Sequence, residues 1–341
     1  MKYLTIAVPS YNSHDYLSKC VESLLVGGED VEIIIVNDGS TDDTGDIAMA
    51  YQQKYPTIVR AVNKPNGGHG SGVNKGLELA TGLYYKVVDS DDWLDAEAFK
   101  QLLATIKQHV DAGEGADLYI TNFVYEHVVD NTSYVSDYIK NLPQNRFFGW
   151  DEIKPMKLWK MLLMHSLTYN TQKLRAVGMV LPEHTFYVDN VYAYQPIAHM
   201  QKLYYLNVNL YRYFIGRSDQ SVTIENIVKR YDNQIRCMRQ ILSSYTYDEL
   251  QAMCKPLRKQ MYHNLHAIMC NTYFFTTAKD SPERRKLFAE MWSDLKERDI
   301  KLYRRIRRMP TFILLNCLPW KLKGALSTLA YKFLRKHVKL G

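Results

Sequence analysis

Four short apolar runs, each followed by a polar turn and then a stretch with helical spacing, constrain this chain most. The first runs through Thr5-Ile6-Ala7-Val8 into Pro9-Ser10-Tyr11-Asn12, with Leu17, Cys20, Val21, Leu24 and Leu25 at helical spacing beyond it. The second, Val31 to Val36, is nearly continuous apolar sequence ending in Asn37-Asp38-Gly39-Ser40, and a helix is predicted from about 44 to 55. The third is Ile58 to Val62, followed by the glycine-rich loop Asn66 to Gly76 and a helix to about Ala80. The fourth, Tyr84 to Val88, is apolar except for Lys86 and ends in Asp89-Ser90-Asp91-Asp92, with a further helix predicted from near Leu94. Strand–helix alternation of this kind builds a mostly parallel sheet flanked by helices. In such sheets ligands lie beyond the carboxyl ends of the strands, where Tyr11, Asp38, Asp89 and Asp91 all fall.

Three carboxylates within four residues repel one another unless a cation sits between them. Mg²⁺ or Mn²⁺ suits the task, because these ions take carboxylate oxygens and keep positions open for phosphate. The competing reading is a solvated turn in which Asp91 or Asp92 caps the next helix. The glycine loop has neither the dinucleotide spacing nor the Lys-Ser/Thr ending of a P-loop, so its backbone, at Gly67 and Gly68 above all, is read as approaching a sugar or diphosphate.

Taken in order and spacing, Val8 to Asn12, Val36 to Asp42, Asn66 to Gly76 and Asp89 to Asp92 resemble the family 2 glycosyltransferases of GT-A fold, the inverting, bacterial cell-surface polysaccharide type. The resemblance is specific over residues 3 to about 95 and continues more weakly to about Val222, through Phe186 to Asn190 and Leu210 to Val222. It implies a catalytic domain over 1–222, with a nucleotide-sugar half (1–95) and an acceptor half (96–222), and a helical C-terminal region over 223–341. It also implies residue roles. Pro9, Tyr11 and Asn12 would line the nucleotide pocket, Asp38 would accept from a uracil-type imide, and Asp89 would hold the ribose. Asp91 would coordinate the metal on the diphosphate, with Asp92 behind it. Asp189 would be the general base, with Glu183 as rival, and Arg217 would face the leaving diphosphate. The donor would be a nucleotide sugar, UDP-linked, and the acceptor a lipid-linked saccharide or cell-surface glycan precursor. One acceptor-side carboxylate suffices for single displacement with inversion. The alternatives are a nucleotidyltransferase, against which the absence of Lys or Arg in Pro9 to Asn12 counts, and an inactive sugar-nucleotide-binding module. No Gln-x-x-Arg-Trp motif is present, which favours transfer of few sugars.

Five scattered cysteines suit a reducing cytosol, and Met1-Lys2 leads straight into the first strand, with no signal peptide. The C-terminal third is helical in pattern and charged differently. Residues 301–341 carry eleven Lys or Arg and no acid, so a whole-chain charge of +7 leaves −4 on residues 1–300. Leu322, Leu326, Leu329 and Phe333 fall on one helix face, with Lys321, Lys332, Arg335, Lys336 and Lys339 largely elsewhere and Trp320 at the start. A basic amphipathic helix with Trp reads as a surface for anionic membrane, placing the protein at the inner face of the plasma membrane. The bland reading is a packing helix, and no motif supports nucleic-acid binding.

Overall fold

A computed structural model of the chain describes residues 1–127, 130–157, 160–216 and 224–338. The first four strands are β1 (Leu4–Ser10), β2 (Val31–Asp38), β3 (Val59–Lys64) and β4 (Tyr84–Val87). The intervening helices are α1 (His14–Leu25), α2 (Thr44–Lys54) and α3 (His69–Leu79). The strands pair in parallel in the order β3-β2-β1-β4. Every residue of β1 is buried, as its unbroken apolar run requires for a strand covered on both faces.

The chain then adds β5 (Trp93–Leu94), α4 (Ala96–Asp111), β6 (Leu118–His127), β7 (Thr132–Ser136), β8 (Phe147–Phe148), β9 (Leu167–Asn170), α5 (Thr171–Ala176), α6 (Asp189–Tyr194) and β10 (Leu203–Ile215). These extend one mixed sheet of ten strands, in the order β3-β2-β1-β4-β9-β6-β10-β5, with β7 beside β6 and β8 beside β10. The four-residue β9 lies antiparallel to both β4 and β6 and so joins the parallel half to the rest. The helix expected from near Leu94 starts at Ala96. Its cap is Asp95, whose carboxylate accepts from Ala98 N, so neither Asp91 nor Asp92 caps it.

The chain divides into two compact units. One comprises Met1–Lys154 and Leu162–Ile215 and contains the whole sheet. The other comprises Pro155–Met161 and the chain from Gly216 on. It consists of α7 (Ile224–Lys229), α8 (Tyr231–Ser243), α9 (Tyr247–Ala252), α10 (Lys255–Thr277), α11 (Pro282–Arg298), α12 (Ile300–Arg307), α13 (Pro310–Cys317) and α14 (Trp320–Val338). Its core gathers Met238, Met269, Tyr273, Phe288 and Phe312. Helix α14 meets α10 through Gly324 and Tyr331: Tyr331 stacks on Phe274 at 4.2 Å, and a Cβ on Gly324 would stand 2.3 Å from the Thr277 carbonyl. That contact turns the predicted apolar stripe outward. Leu322, Leu326, Leu329 and Phe333 are 54, 38, 66 and 60 % exposed. No helix among the described residues is long and apolar enough to cross a membrane.

Candidate active site

The acidic turn after β4 is closed by Asp92 N donating to the Asp89 carbonyl at 2.9 Å. Asp92 is buried. Its carboxyl accepts from the Tyr211 hydroxyl at 2.5 Å and from Phe214 N at 2.7 Å, both on β10. Burial, then repulsion from Asp91 and Asp89, pushes its pKa well above the ordinary range. Tyr211 also accepts from Asp89 N at 3.1 Å, so one phenol fixes both ends of the turn. Asp89 and Asp91 stay partly exposed on the same turn. Ser90 and Ser13 share a hydroxyl contact of 2.6 Å that ties this turn to the loop after β1.

His69, the first residue of α3, places Nε2 at 2.7 Å from Asp89 Oδ1. Burial opposes the charge on both partners, but the pair outweighs it: Asp89 is held below its ordinary range and His69 above, the latter helped by Asp189 and Asp91. Asp189 opens α6 and is brought here by the preceding loop, which clamps onto α3. The Asn74 side chain donates to Leu181 O at 2.8 Å and accepts from Leu181 N at 2.9 Å, and His184 N donates to Gly67 O at 2.5 Å. Gly68 sits at φ +81°, and a Cβ there would press on the His184 backbone at 3.1 Å, so glycine is required on both counts. Burial, then Asp89, raises the pKa of Asp189, and His69 offsets part of the rise. Glu183, the rival base, is exposed on that clamp.

Asp38, at the end of β2, is buried and holds the glycine loop. Its Oδ1 accepts from Lys64 Nζ (2.6 Å), Gly67 N (2.9 Å) and Ser71 Oγ (3.2 Å), and its Oδ2 accepts from Gly68 N (2.6 Å). Only Oδ2 has acceptor capacity to spare. Pro9 pairs with Val36 across the sheet, and Gly72 of α3 approaches it so closely that a Cβ would stand 2.9 Å away. Tyr11 is 53 % exposed, and Asn12 (φ +48°) accepts from Thr41 N at 2.9 Å. Arg217 lies outside the described residues.

Two buried groups escaped the sequence reading. Lys86, wholly buried in β4, donates to the carbonyls of His165 (2.7 Å) and Leu167 (3.4 Å), and burial lowers its pKa to about 7. Its signal was a lone charge within an apolar strand. His165 stands in the apolar run Met161 to Leu167, where a histidine reads as core, and no local signal marks it. Its ring packs on Tyr211 and Tyr213, and its Nδ1 is buried with no hydrogen-bond partner. Burial lowers its pKa to about 4, so the ring is neutral and free to ligate. Ligand atoms of Asp89, Asp92 and His165 all lie within 4.8 Å of one another. Two ligands on one Mg²⁺ or Mn²⁺ ion stand at most ~4.3 Å apart, so small side-chain rotations would close the set. Two carboxylates and an orphaned imidazole nitrogen therefore fit a divalent cation.

The mixed sheet and the helices that flank it form a GT-A fold. The chain belongs to glycosyl transferase family 2, whose model, "Glycosyl transferase family 2", matches residues 5–165. It is 29 % identical over 276 residues to an uncharacterized glycosyltransferase of Mycoplasma pneumoniae, covering 76 % of this chain and 86 % of that protein. It is 28 % identical to the glycosyltransferase GlyA of Streptococcus pneumoniae over 64 % of this chain, and spans 31 % of that protein's length. Among solved structures, S. aureus TarS 1-349 in complex with UDP-GlcNAc has a similar fold, with a TM-score of 0.62 at 20 % identity over 86 % of this chain and 80 % of that one.

Proposed function

We propose that the protein transfers a sugar from a UDP-linked donor to a hydroxyl of a lipid-linked saccharide or cell-surface glycan precursor, with inversion. Residues 1–222 form the catalytic domain in this reading, with 1–95 taking the donor and 96–222 the acceptor. The observation that carries it is the meeting of Asp189, His69 and Asp89 beside the glycine loop. TarS, a protein of similar fold, was solved with UDP-GlcNAc, which supports the donor class.

Each residue has a role set by its surroundings. Pro9, Tyr11 and Asn12 line the base pocket, and the free position on Asp38 Oδ2 accepts the base imide while the rest of that carboxylate holds Gly67 and Gly68 against the diphosphate. Asp91, on the same turn as Asp89 and Asp92, would join the Asp89, Asp92 and His165 cluster in holding a Mn²⁺ or Mg²⁺ ion, which when bound would stabilise charge on the leaving diphosphate. Asp89 is also assigned the ribose, and Arg217 is assigned the charge of the leaving diphosphate on the sequence resemblance alone. Asp189 removes the acceptor proton; a pKa raised by burial brings such a base nearer the working pH. His69, whose charged form the neighbouring Asp89 favours, would place a cation next to the diphosphate position. On α14 the exposed stripe Leu322, Leu326, Leu329 and Phe333, beside exposed Lys321 and Lys332, engages anionic lipid where the acceptor resides.

The test is a donor screen: protein, Mn²⁺ and a panel of nucleotide sugars, with released nucleoside diphosphate measured. UDP release from one UDP-sugar, accelerated by a glycan acceptor, is expected. Release of inorganic pyrophosphate in place of the nucleoside diphosphate would assign a nucleotidyltransferase instead. Tight donor binding without release would assign a binding module.

A further inference from the structure

The helical unit carries its own cluster of charge, where α9, the first half of α10 and the turn between α12 and α13 meet. A cavity of about 700 Å³ opens there, walled in part by Lys255, Arg258, Lys259, Arg305, His263 and Tyr262, and among the described residues no carboxylate lines it. That volume lies within the range of small-ligand sites, about 300–1,000 Å³. Four of these residues are formal cations, and among the described residues none of the four pairs with a carboxylate. Acids are at hand in this unit and pair elsewhere: Lys301 with Asp248 at 2.9 Å, Arg285 with Asp280 at 2.5 Å, and Arg239 with Asp294 at 3.2 Å. The four cavity cations thus keep a charge that no carboxylate compensates, although acids of the same unit neutralise Lys301, Arg285 and Arg239. Like charges held around a hollow focus a positive field into it.

The site is also held in place. Arg258 Nη1 donates to Gln251 O at 2.9 Å, Gln251 donates to the Tyr262 hydroxyl at 3.2 Å, and the Arg305 guanidinium lies 5.1 Å from the Tyr262 ring. His263 Nε2 meets Lys160 O at 3.0 Å. Lys255 and Arg258 stand on the first turn of α10, a helix of 23 residues whose N-terminal partial charge adds to theirs. Arginine forks and lysine ammoniums on rigid walls suit phosphate oxygens better than a lone carboxylate.

We propose that this cavity is a phosphoryl-binding site for the phosphodiester or diphosphate of the acceptor substrate, distinct from the donor's nucleotide site. The identity of the ligand as acceptor rests on the transferase reading; the anion site itself is measured without turnover. Full-length protein in metal-free buffer is titrated with inorganic pyrophosphate by calorimetry, alongside Arg258→Ala/Lys259→Ala and Asp91→Asn. Saturable binding is expected, weakened about tenfold or more in the double variant by loss of two charge-assisted contacts. The same affinity is expected in Asp91→Asn, whose defect lies at the donor site. Should the double variant fail to fold, Arg305→Gln is read in its place. Pyrophosphate binding that ignores the cavity variants, or that disappears in Asp91→Asn, would overturn the proposal. So would binding of phosphatidylglycerol vesicles through these residues while pyrophosphate fails to bind, which would assign a lipid headgroup, or of a single-stranded RNA alone, which would assign nucleic acid.

Discussion

The two units handle charge in opposite ways. The sheet unit buries it and satisfies it. Lys86, Asp38 and Asp92 are all buried, and each has named hydrogen-bond partners from distant strands or loops. The helical unit leaves much of its charge bare, with four unpaired cations around one cavity and exposed lysines beside an exposed apolar stripe on α14. Buried, paired charge fixes geometry, which chemistry at a sugar–diphosphate bond needs. Bare charge recruits something from outside. The contrast predicts that variants in the sheet unit lose turnover, while variants in the helical unit lose only association with acceptor or surface.

The largest expected effect is on Asp91. Asp91→Asn should abolish transfer in a protein that still folds, and EDTA should do the same to the wild type; near-normal turnover in either case removes the metal from the account. Next comes pH. Since Asp189 must be deprotonated to act and its pKa is raised, the acid limb of turnover should fall at a pH above the usual carboxylate range, about 3.9. An acid limb at or below that value would mean the base lies elsewhere.

A stability measurement sharpens the burial half of the contrast. With a folded pKa of about 7 against about 10.4 unfolded, Lys86 binds fewer protons folded than unfolded between those values. Its contribution to stability should therefore rise with pH across that window, and Lys86→Met should flatten the rise in chemical denaturation. A slope unchanged by the substitution would mean that Lys86 is not desolvated. The smallest effect is at the surface. Each basic residue near anionic lipid contributes about 1 kcal/mol, so removing residues 319–341 should reduce salt-sensitive sedimentation with anionic vesicles while activity on a soluble acceptor analogue survives. If truncation instead unfolds the protein, the contact of Gly324 and Tyr331 with α10 is structural and the stripe is not an anchor.

What could be read from sequence was whatever is local. Strand ends, the acidic turn and the glycine loop announce themselves in runs of a few residues, and the one-sided stripe of α14 follows from helical spacing, whereas its exposure follows from the packing of the opposite face on α10. Contacts across the fold left no such mark. Asp92 is fixed by Tyr211 and Phe214 from more than a hundred residues away, His165 hides in an apolar run, and Asp38 turns out to serve the loop 29 residues on as much as any base. The four-residue β9 was invisible for the same reason: only its two antiparallel neighbours make it a strand.

The claim that the carboxylate facing the glycine loop does the chemistry is tested most directly by Asp189→Asn, with turnover and donor affinity measured together. Turnover should fall by on the order of 10²–10⁴ while the donor dissociation constant stays within about twofold, because a positioned base acts on the acceptor proton and not on the nucleotide. Collapse of donor affinity, unchanged turnover, or a larger loss in Glu183→Gln would contradict it.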